Sequence, residues 1–333
     1  MKKSLLVFSF LFLGLSLTAQ QNNFNNELYS FSSKAILNKI KEQKAEKGFV
    51  MIMETKTGKV IASSGIKSSC GKYVQDNSFL REPFNPGGLL LPITLSVFLD
   101  NTNISLNDSI DLEGGETTLA NQKIFDSEQH GIRYANYKQI VEISSNVGIA
   151  KSILNNYKKN GDLFLSQLNQ VANYTSIDTL TSPLTLNAIG YSIKYKPLEI
   201  LMYYNAIANN GNKIDTNNVN LTRKLFKKET TLTAIQESLM AVCDKKGTAS
   251  ILAEGQKNKA VAGKTGTIIN YASSNKKYSY TSAFVGYFPA NNPEYTCLIV
   301  IKNKPYSESF YGGVVAAPVF KDIVKFFNNK NKY

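Results

Sequence analysis

The 333 residues are 43% hydrophobic and 19% charged, too apolar for a disordered chain and long enough for one large or two ordinary cores. Lys and Arg outnumber Asp and Glu by 38 to 25, a formal +13, yet only Arg81, Arg133 and Arg223 are arginine. Lysine supplies a field without the bidentate fork that reads bases, so nucleic acid is not the expected partner. One histidine, His130, and three cysteines, Cys70, Cys243 and Cys297, exclude a His- or Cys-rich metal site and a disulfide scaffold. No metal and no cofactor is expected.

Lys2 and Lys3 precede an apolar, uncharged stretch from Leu5 to Leu17, followed by Thr18-Ala19-Gln20 and a polar run, the layout of a secretory signal peptide over residues 1–20. A membrane anchor is the competing reading, but about 13 apolar residues fall short of the roughly 20 that span a bilayer as a helix. Export to the periplasm or cell envelope is expected. Removing residues 1–20 takes two lysines and no acids and leaves +11, a surface suited to acidic envelope polymers. Three cysteines in an oxidising space allow at most one internal disulfide, and Cys297, within an apolar run, reads as a core residue.

Phe31, Ala35, Ile36 and Ile40 recur at helical spacing and predict a helix within residues 21–47, broken by Gly48. Phe49 to Glu54, a Lys56-Thr57-Gly58 turn and Val60 to Ala62 predict a β-hairpin. Residues 101–129 read as loops with short elements. Tyr137 to Ile143 and Val147 to Leu154 read as helices, and Pro197 opens another that Asn210-Gly211 closes. Ala260 to Ile269, Tyr280 to Phe288 and Tyr295 to Ile301 read as strands, with a last helix from Val314 to Phe327. Strands from both chain ends with helices between them predict one α+β domain over residues 48–328: an antiparallel sheet flanked by helices, with a mostly helical subdomain in the middle.

Lys264-Thr265-Gly266-Thr267 on a predicted strand is weak alone. Ser144-Ser145-Asn146 stands about 120 residues upstream at a helix boundary, and S-x-N followed at long range by K-T-G is the pattern of penicillin-recognising serine acyl-transferases. The chain resembles the transpeptidase domain of class B penicillin-binding proteins from about Leu28 to Lys325. The likeness includes Met53 to Ala62, Ile124-Phe-Asp126, Ile189-Gly-Tyr191, Lys246-Gly-Thr-Ala249, Ser282 to Ala290 and Gly312 to Phe320. It implies a β-lactamase/transpeptidase-like fold, and peptidoglycan stem peptides or β-lactams as ligands.

The family's third motif, S-x-x-K, falls on Asn85-Pro86-Gly87-Gly88-Leu89-Leu90-Leu91-Pro92-Ile93-Thr94, which places Gly88 at the nucleophile and Leu91 at the base. Neither has an atom for acyl transfer, and losing such a unit typically costs about 10⁶-fold in turnover. By resemblance Ser144 relays a proton, Asn146 orients the substrate amide and Lys264 supplies charge. Ser145, Thr265, Gly266 and Thr267 would line the substrate, with an oxyanion hole from the Gly88 and Thr267 N–H groups.

Two readings stand. One is an exported pseudoenzyme that binds stem peptide non-covalently or another cell-wall protein. The other is an active D,D-transpeptidase, carboxypeptidase or β-lactam-hydrolysing enzyme with a displaced nucleophile. Ser144, Asn146 and Lys264 could also be a packed polar network without a ligand. Ser69-Cys70-Gly71-Lys72 spells S-x-x-K but lies outside any predicted helix start and reads as accidental. His130 reads as a solvated loop residue, and Tyr306 and Tyr311 as groove walls. Because the flanking Pro86, Gly87, Pro92 and Thr94 remain, Gly88→Ser paired with Leu91→Lys is expected to restore slow acylation.

Overall fold

The computed structural model describes the chain apart from residues 1, 120, 128–129, 178–181, 216–220, 255–260, 272–277, 306 and 331–333, with side chains from Asn22 onward except that of Tyr271. Tyr306 and the side chains of the expected signal peptide lie outside the described residues. Among those described, no helix is long and apolar enough to cross a membrane.

Helix α1 (Lys2–Glu42) runs into strand β1 (Lys47–Glu54), β2 (Val60–Ser69) and β3 (Lys72–Gln75). The expected N-terminal helix therefore ends earlier than residue 47, because Lys44 takes a left-handed turn (φ 48°) and Lys47 already pairs with Lys302. Helices α2 (Leu91–Asn101), α3 (Tyr137–Glu142), α4 (Asn146–Tyr157), α5 (Gly161–Val171), α6 (Pro197–Ala208) and α7 (Glu229–Val242) form the central part, with short two-stranded ladders between some of them. The chain returns to the sheet through β4 (Ala262–Tyr271), β5 (Tyr278–Phe288) and β6 (Tyr295–Lys302), and closes with α8 (Gly312–Val315) and α9 (Ala317–Lys330).

The sheet order is β4-β5-β6-β1-β2-β3, antiparallel throughout. The two chain ends meet where β1 pairs with β6, Phe49 opposite Val300 and Ile52 opposite Cys297. β1 is buried along nearly its whole length, as a strand covered on both faces must be. Side-chain alternation on β6 shows the two layers: the Tyr295 ring lies 4.1 Å from Phe327 of α9, whereas its neighbour Thr296 donates to Asn205 Oδ1 of α6 at 3.0 Å. On the α9 side, Phe24 and Phe31 of α1 pack against Phe326 and Phe327. Phe327 is buried and the other three rings are half-buried, so only Phe327 approaches the roughly 1.5–3 kcal/mol of a fully buried apolar side chain. The architecture is the α+β one expected. Cys297 is a core residue as read, and all three cysteines are free.

Candidate functional site

Three segments distant in sequence converge at the β4 edge of the sheet. The first is a tight turn, Gly87–Leu90, leading into α2. Gly87 takes φ 50° and donates its N–H to the Gly190 carbonyl at 3.1 Å. A side chain at 190 would come within 2.7 Å of the Gly87 backbone, which accounts for the glycine in Ile189-Gly-Tyr191. Tyr204 donates to the Leu89 carbonyl at 2.9 Å and Thr94 to the Ala188 carbonyl at 2.7 Å, so the turn is fixed from both sides.

The second segment is the α3–α4 junction. Ser144 takes φ 59°, a left-handed conformation that costs a non-glycine residue about 1–2 kcal/mol, so that Ser145 can start α4 at once. The two adjacent serines have opposite fates. Ser145 is fully buried: its Oγ donates to Asp126 Oδ2 at 2.8 Å and accepts from the Gly148 N–H at 3.0 Å. It is a helix N-cap rather than a substrate contact, which corrects the expectation from sequence. Asp126 Oδ1 also accepts from Val147 N–H at 3.0 Å, placing a carboxylate at the start of α4. His130 Nε2 lies 2.7 Å from Asp126 Oδ2, and His130 Nδ1 accepts from Ile132 N–H at 3.0 Å. The histidine is thus a structural partner of Asp126 rather than a solvated side chain.

The third segment is β4. Lys264 is fully buried, and its Nζ donates to Ser144 Oγ at 2.7 Å and to the Thr265 carbonyl at 3.1 Å. Thr265 Oγ1 lies 2.8 Å from Thr248 Oγ1, and Thr267 Oγ1 accepts from Gly312 N–H at 3.1 Å. Gly266 does not line the cleft. It permits close approach of the Gly87–Leu90 turn, since a side chain on Gly266 would come within 2.9 Å of Leu89 Cγ and 3.1 Å of the Pro86 carbonyl oxygen.

Gly88, Ser144, Asn146, Thr248, Thr265, Thr267 and Tyr311 line one small cavity of about 20 Å³, room for about one water. Tyr311, in its wall, donates to the Ser127 carbonyl at 3.0 Å, and Asn146 Nδ2 donates to the Phe125 carbonyl at 3.0 Å. Gly88 faces Ser144 and Lys264 with nothing to present. A Cβ there would stand 2.8 Å from Ser144 Oγ, 2.8 Å from the Thr265 carbonyl oxygen and 3.6 Å from Lys264 Nζ. Leu91, one turn on, is fully buried. The surroundings of position 88 therefore leave little room for a side chain, an obstacle to the paired Gly88→Ser and Leu91→Lys change that the flanking motif residues do not reveal.

The sequence pattern of the penicillin binding protein transpeptidase domain matches residues 48–325. The chain belongs to this family. Penicillin-binding-protein relatives agree: the chain is 25% identical to peptidoglycan D,D-transpeptidase FtsI of Buchnera aphidicola over 92% of its own length and 58% of that protein's. It is 24% identical to the probable peptidoglycan D,D-transpeptidase PbpC of Pseudomonas aeruginosa over 84% and 53%. The chain thus spans little more than half the length of these curated relatives. The fold is shared with the apo transpeptidase domain of Burkholderia pseudomallei penicillin-binding protein 3, with a TM-score of 0.74 at 20% identity over 90% of this chain and 93% of that one.

The transpeptidase-family motifs S-x-N and K-T-G-T do converge, through Ser144, Lys264, Thr265 and Thr267, on the turn that holds Gly88. The literal S-x-x-K does not join them. Ser69 pairs with Lys72 across a β2–β3 hairpin whose tip residues Cys70 and Gly71 take φ 47° and 76°, at the opposite edge of the sheet. Sequence reasoning missed Asp126 and Thr248 as site residues, although both stand in family-like segments, Ile124-Phe-Asp126 and Lys246-Gly-Thr-Ala249.

Proposed function

We propose that this is an exported transpeptidase-type domain that recognises peptidoglycan stem peptides without acylating them. The observation that supports this best is Gly88: the residue facing Ser144 Oγ and Lys264 Nζ has no side chain, and no atom for a covalent intermediate stands in its place. What remains is a set of donors: the Lys264 ammonium and the hydroxyls of Thr265 and Thr267. Such donors suit the carboxylate that ends a D-amino-acid peptide. The cavity holds only about one water, so a peptide terminus needs it to widen, and Tyr311, bonded to the Ser127 carbonyl, is one of its walls. Lys2, Lys3 and the apolar run after them support export to the periplasm or cell envelope. β-Lactams would bind reversibly; other cell-wall proteins are the further partners this reading allows.

The test is intact-mass spectrometry after incubation with benzylpenicillin, coupled to calorimetric titration with N-acetyl-D-alanyl-D-alanine. No mass gain is expected, with a micromolar to millimolar dissociation constant for the peptide, since a few charge-assisted hydrogen bonds of about 1.5–3 kcal/mol each must offset immobilisation. Lys264→Ala should weaken binding most and Lys72→Ala should leave it unchanged. A penicilloyl adduct on any serine overturns the proposal.

A further inference from the structure

The two K-T-G-T hydroxyls are each met from behind by a second group, and the pairing sets which way their protons point. A backbone N–H can only donate, so the Gly312 N–H at 3.1 Å uses one acceptor site of Thr267 Oγ1 and leaves the Thr267 proton for something else. Behind Thr265 the corresponding group is the hydroxyl of Thr248, 2.8 Å away, which can either donate or accept. Thr248 is itself fixed in place. Its N–H donates to the Glu142 carbonyl at the end of α3, and the next residue, Ala249, donates to the Val242 carbonyl at the end of α7. A side chain on Gly313 would come within 2.0 Å of the Thr248 carbonyl oxygen, so the Gly312-Gly313 pair is what lets α8 close down on both threonines.

We infer that Thr248 is a positioning residue that makes this cleft selective for anions: its hydroxyl donates to Thr265 Oγ1, which in turn donates its own proton to the ligand carboxylate. The inference rests on the stem-peptide reading above and extends it to a residue outside the three family motifs. With a carboxylate bound, Thr248 O–H, Thr265 O–H and the anion form one chain in which each bond polarises the next. The Gly312 N–H does the same for Thr267. Both threonines then present hydrogens, and a ligand ending in a neutral amide gains much less from them than one ending in a carboxylate.

Thr248→Val keeps the shape and removes the donor; Thr248→Ser keeps the donor and removes a methyl. Calorimetry with N-acetyl-D-alanyl-D-alanine and with its C-terminal amide reads the effect on the ligand. Thr248→Val should lower affinity for the carboxylate form about 5- to 10-fold and leave the amide form unchanged, and Thr248→Ser should restore the wild-type preference. A urea-unfolding cycle of Thr248→Val, Thr265→Val and the double variant reads the contact without any ligand, and should show that the double variant loses less stability than the sum of the singles. Equal carboxylate affinity in Thr248→Val and wild type, or strict additivity in the cycle, overturns the inference. If the wild type binds neither probe, the stem-peptide reading falls and takes with it the role assigned to Thr248 in ligand selectivity, whatever the cycle shows.

Discussion

The sheet has two edges, and each carries a short string that spells part of a catalytic motif. At the β4 edge, Lys264-Thr265-Gly266-Thr267 lies under α8 and against the Gly87–Leu90 turn, with Lys264 and Thr265 buried and bonded to residues more than a dozen positions away. At the β3 edge, Ser69-Cys70-Gly71-Lys72 folds back on itself in a hairpin, with Cys70 exposed. Four intervening strands separate them, about 24 Å at the usual spacing. The letters are equally suggestive at both edges. Among the described residues the Lys264–Thr267 string gathers side chains from distant parts of the chain and the Ser69–Lys72 string does not, and chemistry needs that gathering.

The largest test of the difference is to force chemistry back into the β4 edge. Leu91→Lys places an amine at a fully buried position, and at pH 7 the lost protonation alone should lower stability by roughly 4–5 kcal/mol. Gly88→Ser should cost about 1–3 kcal/mol, because its Cβ meets a backbone carbonyl that cannot swing aside. Urea unfolding checks both; a Gly88→Ser protein as stable as wild type would show that the cleft opens without strain. A smaller contrast compares one serine from each edge. Ser145→Ala removes a helix cap and a bond to Asp126 and should cost about 1–2 kcal/mol, whereas Ser69→Ala should stay within about 0.5 kcal/mol of wild type.

The least perturbing test uses the thiols. Burial raises the pKa of both the Cys243 and Cys297 thiols above the usual range, so neither supplies thiolate or access. Iodoacetamide should modify only Cys70 in the folded protein and all three cysteines in urea, as counted by mass. Modification of Cys243 under native conditions would mean that the wall beneath Lys264 opens, and the contrast between buried and exposed edges would blur.

Sequence carried the fold where period and punctuation agreed. The β1–β2 hairpin, β4 to β6, and α6 between Pro197 and Asn210-Gly211 are all visible as patterns. It did not reveal α7, whose Glu229-Thr-Thr-Leu-Thr start is rich in β-branched residues and is held helical by packing. Motif spacing showed that Ser144, Lys264 and Thr265 belong together. It could not show that Ser145, one residue away, turns inward to Asp126, because a left-handed Ser144 decides that direction. Nor could it show His130 against the same carboxylate: a lone histidine acquires its partner only through a loop's path in space.

The glycine at 88 also bears on which substitutions the protein tolerates. A serine restored there by one mutation would arrive in space already shared by the Ser144 hydroxyl and the Thr265 carbonyl, and would find leucine where its base should be. Neither single step repays the stability it removes, since a serine without a base stays a weak nucleophile and a lysine without a serine has nothing to activate. The packing around Gly88 therefore resists a serine introduced by a single change. Its neighbours, the Ser144 hydroxyl and the Thr265 carbonyl, hold position 88 to glycine whether or not that position serves any purpose.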